Sequence, residues 1–202
     1  MNPLRRYPVL SSLLKPFRRS QQKTCAALVA ALCQAAQASS FAIAGQLSCL
    51  TEVQFGSALT RLYRFLRNAR FDNWLLTEQM FGLLGKGQKH LLLALDWTCW
   101  QDRFSVLTVS ACVGTRSIPL AVSACRKSNL ARSQNLSEET FLRLTVDRLR
   151  ACGVCAVWLC DRGFHRVAWL KRLVELEQHF VVRLQRDVMV HLPSGAHLLK
   201  GL

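Results

Sequence analysis

The chain has 202 residues, half of them apolar and 19% charged, which excludes a disordered tail and leaves room for one full domain or a small and a medium one. Its 27 Lys and Arg against 12 Asp and Glu give a net charge of +15. That sign fits a polyanionic partner, nucleic acid or an anionic membrane surface, and excludes an acid-rich secreted binder.

The basic charge is clustered. Residues 1–90 hold 12 Lys and Arg and 3 acids, and residues 91–202 hold the other 15 and 9. One cluster is Arg5, Arg6, Lys15, Arg18, Arg19 and Lys23; the other is Arg61, Arg64, Arg67 and Arg70. Between them Thr24–Leu50 is uncharged and Ala-rich, but Gln34, Gln37, Ser39 and Ser40 break it. It therefore lacks the roughly 20 apolar residues of a membrane span. It reads as a helical pair, Cys25–Gln37 and Phe41–Cys49, rather than as an export signal.

Ser57–Asn68 has the clearest helical period. On an ideal wheel Ala58, Leu59, Leu62, Phe65 and Leu66 share an arc of about 120°, with Arg61, Arg64 and Arg67 on the other side. No acid lies between Arg61 and Arg70. Such a helix can pack on a core and present cations to phosphates. Leu75–Leu84 follows as another helix, and Gly85-Lys86-Gly87 closes a first region, 1–87, that is helical and basic.

From residue 88 the texture becomes strand-like. His90–Trp97 (HLLLALDW) predicts a strand buried on both faces that ends at Asp96. Arg103–Val113 and Ser117–Cys125 are two more strands, joined too closely for crossover helices, so the three form an antiparallel meander. Pro119 puts the third at an edge or a bulge. Arg126–Asn135 reads as a loop. Ser137 then caps a helix with Glu138 and Glu139 in its first turn and Leu136 and Phe141 as a hydrophobic staple, and Gly153 ends it. Val154–Cys160 is a fourth apolar strand stopping at Asp161, His165–Glu177 an amphipathic helix and His179–Gln185 a fifth strand.

The order β-β-β-α-β-α-β predicts an α/β mixed sheet flanked by helices over residues 88–202. Its fourth strand, reached through a helix, lies parallel to the first. Ligands gather at the carboxyl ends of strands in such sheets, so Asp96 and Asp161 can meet there. Two close carboxylates repel unless a cation joins them. A hard divalent ion such as Mg²⁺, with oxygen ligands and waters, resolves the conflict and serves phosphoryl transfer.

The nine cysteines are odd in number and sit mostly in apolar runs, as small buried hydrophobes in a reducing cytosol rather than as a disulfide framework. The Cys152–Cys155 pair straddles a helix end and a strand start. It has no second CxxC partner and reads as neither redox nor zinc site.

ALDWTCW around Asp96, IPLAVSACRKSN from Ile118, LCDRGFHRVAWLKRL around Asp161 and HFVVRLQRD from His179 resemble the catalytic core of bacterial insertion-sequence transposases. The group is the insertion-sequence-four type of the DDE superfamily, and RLYRFLRN, Arg61–Asn68, resembles the element before that core. The resemblance implies an RNase H-like core, Mg²⁺ dependence with Mn²⁺ as an alternative, and double-stranded transposon-end DNA as substrate. It is compatible with a homodimer in a synaptic complex and with a bacterial cytoplasmic, nucleoid-associated location. It maps the first two catalytic, metal-holding acids onto Asp96 and Asp161, with Arg61, Arg64, Arg67, Arg70, Arg162 and Arg166 as DNA contacts. The family's third acid, a downstream glutamate, has no counterpart before Leu202. The chain therefore reads as an amino-terminal piece of a transposase, inactive by itself. The competing readings are a non-catalytic DNA-binding module or repressor of transposition, and a basic membrane-surface protein using residues 1–50.

Overall fold

The computed structural model describes residues 7–130 and 133–184, and the backbone of Val188–Leu192 and Gly195–Leu199. Two compact units divide the chain at Leu76/Thr77. The protein is α/β, with eight helices and a five-stranded mixed sheet among the described residues.

The first unit is helical. Helices α1 (Pro8–Leu14), α2 (Arg19–Gln34), α3 (Ser40–Thr51) and α4 (Phe55–Leu66) precede α5 (Asn73–Gly85), which crosses the division. Small side chains let α2, α3 and α4 approach closely. Ala27, Leu28, Ala31, Ala44, Leu47, Ala58 and Leu62 form one core cluster. The Ser39-Ser40 break works as a cap, because the Ser39 hydroxyl accepts a bond from the Ala42 N–H at 3.2 Å. The apolar arc of α4 is buried at Ala58 and Leu62, with Leu59 and Phe65 packed against the cluster. Leu66 departs from expectation and is 66% exposed at the last turn. No described helix is long and apolar enough to cross a membrane.

The carboxyl half of α5 belongs to the second unit, so the division falls earlier than Gly85-Lys86-Gly87, where the sequence texture changes. Its polar groups explain this. The Thr77 hydroxyl donates to the Leu120 carbonyl at 2.7 Å, Glu78 pairs with Arg148, and the Cys152 thiol meets the Glu78 carbonyl at 3.5 Å.

Strands β1 (Leu91–Trp100), β2 (Phe104–Val113) and β3 (Arg116–Arg126) form the antiparallel meander. β4 (Ala156–Cys160) and β5 (His179–Val182) add on β1's other side, both parallel to it, giving the order β3-β2-β1-β4-β5. β3 is an edge strand, as Pro119 requires, and the β2–β3 register shifts at Val109/Ser110 beside it. β6 (Val188–Leu192) and β7 (Gly195–Leu199) form a separate hairpin; Gln185, the expected end of β5, lies outside the described residues.

Three expectations are corrected. β1 is buried on one face only: Leu91, Leu93 and Leu95 are buried, whereas Leu92 is 43% exposed. Arg126–Asn135 is not simply a loop, since α6 (Lys127–Leu130) and the start of α7 (Gln134–Ala151) lie within it. α7 therefore begins three residues before Ser137, Leu136 is exposed rather than part of a staple, and Glu138 faces inward. The helix still ends at Gly153, whose φ of +64° suits a residue without Cβ. A 3₁₀ turn (Arg162–Phe164) and α8 (Val167–Glu175) lead from β4 to β5.

The one-sided burial of β1 sets a stability contrast. Leu93→Ala should cost about 2–5 kcal/mol in urea unfolding, as a cavity in the central strand does. Leu92→Ala, two-fifths exposed, should cost about half a kcal/mol.

Candidate functional site

Parallel pairing positions the two aspartates. The β1–β4 ladder runs from Leu91 opposite Ala156 to Leu95 opposite Cys160. The next residue on each strand is Asp96 and Asp161, so the two follow the parallel ladder side by side at one level. β1 does not end at Asp96 as expected. It continues to Trp100 paired with β2 alone, while β4 stops at Cys160, and the crevice opens where they part.

Asp96 and Asp161 line a single cavity of about 540 Å³ with Trp97, Thr98, Cys99, Ser105, Lys127 and Gln134. Asp161 caps the 3₁₀ turn, its Oδ1 accepting from the Gly163 N–H at 2.8 Å. The Asp96 carboxylate makes no hydrogen bond or ion pair among the described residues. Among those residues no third His, Cys, Asp or Glu joins the pair as a metal cluster. Two hard carboxylate donors facing an open cavity fit Mg²⁺ or Mn²⁺ with water completing the shell. Glu175 and Glu177 are engaged elsewhere, Glu175 with Arg172 at 2.7 Å and Glu177 with Arg150 at 3.8 Å.

Sequence reasoning missed the polar centre beside this cavity. Glu138, only 1% exposed, accepts from Trp97 Nε1 at 2.8 Å and Gln134 Nε2 at 2.9 Å, and pairs with Arg166. Read as a first-turn acid favoured by the helix dipole, Glu138 gave no sign of this; the faint signal is a Trp directly after the strand aspartate. Arg166, expected as a DNA contact, has its guanidinium committed to Glu138 and Asn135. Arg162 is exposed on the turn after Asp161.

A second cavity, about 590 Å³, lies within the first unit between α2 and α4. Arg61 and Arg64 line it with Thr60, Asn68, Gln21 and Thr24. Arg61 Nη2 donates to the Thr24 hydroxyl at 3.4 Å. Arg64, Arg67 and Arg70 are exposed, and none of the four arginines makes an ion pair among the described residues. The α2 wall was missed by the sequence reading, although its polar residues at 20, 21 and 24 share a helix face. Arg5 and Arg6 of the other basic cluster lie outside the described residues.

All nine cysteines are free. Burial pushes the Cys160 thiol up from 9.0 to about 11, against a smaller opposing hydrogen bond with Trp169. Burial also raises Cys152, and Glu78 adds to the rise. Neither is a ready thiolate.

Comparison with family models and with curated proteins finds no match to this chain.

The raised Cys160 value predicts an alkaline instability. Between pH 9 and 11 the unfolded thiol ionises while the folded one stays protonated, so stability should fall as pH rises through that window. Urea midpoints measured across it should fall less steeply in Cys160→Ala. Iodoacetamide at pH 8 should label exposed Cys99 and Cys155 well before Cys160, read by peptide mass spectrometry.

Proposed function

We propose that this chain is a DNA-binding protein of the insertion-sequence transposase type, with an RNase H-like core whose Asp96 and Asp161 hold a divalent ion at DNA phosphodiesters. The carrying observation is that these two aspartates follow the last parallel pair of β1 and β4 and line one cavity at the carboxyl end of that pairing. The strand order β3-β2-β1-β4-β5, with β4 and β5 parallel to β1, supports the RNase H-like reading. Asp96 and Asp161 would hold Mg²⁺ there, and the ion would supply Lewis-acid polarisation of a phosphoryl oxygen and activation of water or a hydroxyl.

The chain's own residues divide the remaining work. Arg61, Arg64, Arg67 and Arg70 supply cations for backbone phosphates, with hydroxyls and amides of α2 and α4 as neutral donors. Arg162, beside Asp161, adds a cation at the reaction centre. Arg166 is left out, because its charge is already neutralised by Glu138. Lys127, which lines the Asp cavity, is a candidate phosphate contact, since its pair with Asp102 at 3.5 Å is solvent-exposed and exchangeable, unlike that of Arg166.

A second reading, DNA binding without cleavage, is favoured by the two-carboxylate count. In-line transfer by two metals needs both ions held about 3.5–4 Å apart. Asp96 and Asp161 alone fix one.

Two outcomes test these readings. Replacing Arg61, Arg64 and Arg67 by Ala in the folded protein should weaken DNA binding and flatten the plot of log affinity against log salt by about one unit per lost phosphate contact. An unchanged slope would remove these arginines from the interface. On supercoiled plasmid carrying transposon ends, with Mg²⁺ or Mn²⁺, the 202-residue chain is expected to bind without nicking. Nicking that disappears in Asp96→Ala would instead show a complete catalytic site.

A further inference from the structure

The β1–β4 ladder stops at Leu95 opposite Cys160, one residue short of both aspartates. From there β1 turns with β2 and the chain after Asp161 turns into the 3₁₀ helix. No backbone pairing then fixes the separation of Asp96 and Asp161. What spans the gap is Glu138. Trp97, directly after Asp96, donates its indole N–H to Glu138 Oε1 at 2.8 Å. Arg166, five residues after Asp161, pairs its guanidinium with Glu138 Oε2. Gln134, which lines the aspartate cavity, donates to the same Oε1 at 2.9 Å. Asn135 holds the other Arg166 nitrogen, so both ends of the bridge rest on α7.

We propose that buried Glu138 is the positioning residue of the Asp96–Asp161 metal site, clamping the segments after the two aspartates to α7 so that both carboxylates meet one ion. The inference rests on the metal reading above. A carboxylate that is 1% exposed needs strong compensation, and here three side-chain groups supply it. Charge and hydrogen bonds act together. Arg166 sets a positive charge against the Glu138 carboxylate, and Glu138 keeps Arg166 from turning toward the aspartates as a competing cation. Groups that orient metal ligands from behind typically govern affinity by about 10–100-fold.

The test measures Mn²⁺ binding by electron paramagnetic resonance in the full chain, for wild type, Asp96→Asn, Glu138→Gln and Trp97→Phe. Circular dichroism first establishes which variants are folded at the assay temperature. Glu138→Gln keeps the shape and removes the charge. It should weaken Mn²⁺ binding about 10- to 100-fold while Asp96 and Asp161 are both present. Trp97→Phe deletes one arm of the clamp and leaves the buried ion pair; it decides the matter where Glu138→Gln does not fold, with an expected loss of at least about 3-fold. Either folded variant binding Mn²⁺ within twofold of wild type overturns the positioning role and leaves the metal site standing. Wild type binding no better than Asp96→Asn overturns the metal reading and the positioning role with it.

Discussion

Everything at the candidate site depends on the parallel pairing of β1 with β4. The two strands are separated in sequence by a hairpin, an edge strand and two helices, so the pairing carries a substantial loop-closure cost. It is met by alternating burial: Leu91, Leu93 and Leu95 on one strand and Ala156, Trp158 and Cys160 on the other all point inward. A slip of one residue would send those side chains to the opposite face. The same register that satisfies the core therefore brings Asp96 and Asp161 to one level at the end of the ladder, and leaves their final spacing to the side chains beyond it.

Charge is organised differently in the two units. In the second, four of the ten described arginines are neutralised in place: Arg148 by Glu78, Arg150 by Glu177, Arg166 by Glu138, and Arg172 by Glu139 and Glu175. In the first, the acids that could do this are missing from the sequence between Lys23 and Asp72 apart from Glu52. Arg61, Arg64, Arg67 and Arg70 consequently keep their charge toward solvent. Condensed counterions on a polyanion are released only by cations that are not already paired. The net charge of the whole chain thus understates how unevenly unpaired positive charge is distributed around α4.

The sequence was legible where local periodicity and topology agree. The α4 stripe, the β1–β2–β3 meander, Pro119 at an edge and the crossover to a parallel β4 all follow from short-range patterns that the tertiary structure reinforces. It was less legible where one residue type admits two environments. HLLLALDW reads as doubly buried because Leu92 and Leu93 look alike in sequence, yet only one faces the core. Glu138 reads simply as a helix-start acid because nothing local marks the partners it finds in Trp97 and Arg166, 41 and 28 residues away. The pairing of Arg166 was hidden for the same reason: a cation near a strand-end aspartate looks available until its counterion is located in space.

The buried Glu138–Arg166 pair also explains why such a costly arrangement suits this position. Taking two charges from water is expensive, and an apolar replacement of equal volume is often as stable or more so. Stability alone therefore gives little reason for it. An apolar pair, however, would tolerate small rotations of α7 against β1, since dispersion contacts are non-directional. Hydrogen bonds to the two oxygens of one carboxylate are directional, and each fixes a donor on a different segment: the β1 extension, the start of α7 and the chain beyond Asp161. A polar bridge defines a geometry where packing alone would define only a volume. That precision counts where the backbone ladder has just ended and no strand pairing joins the two segments.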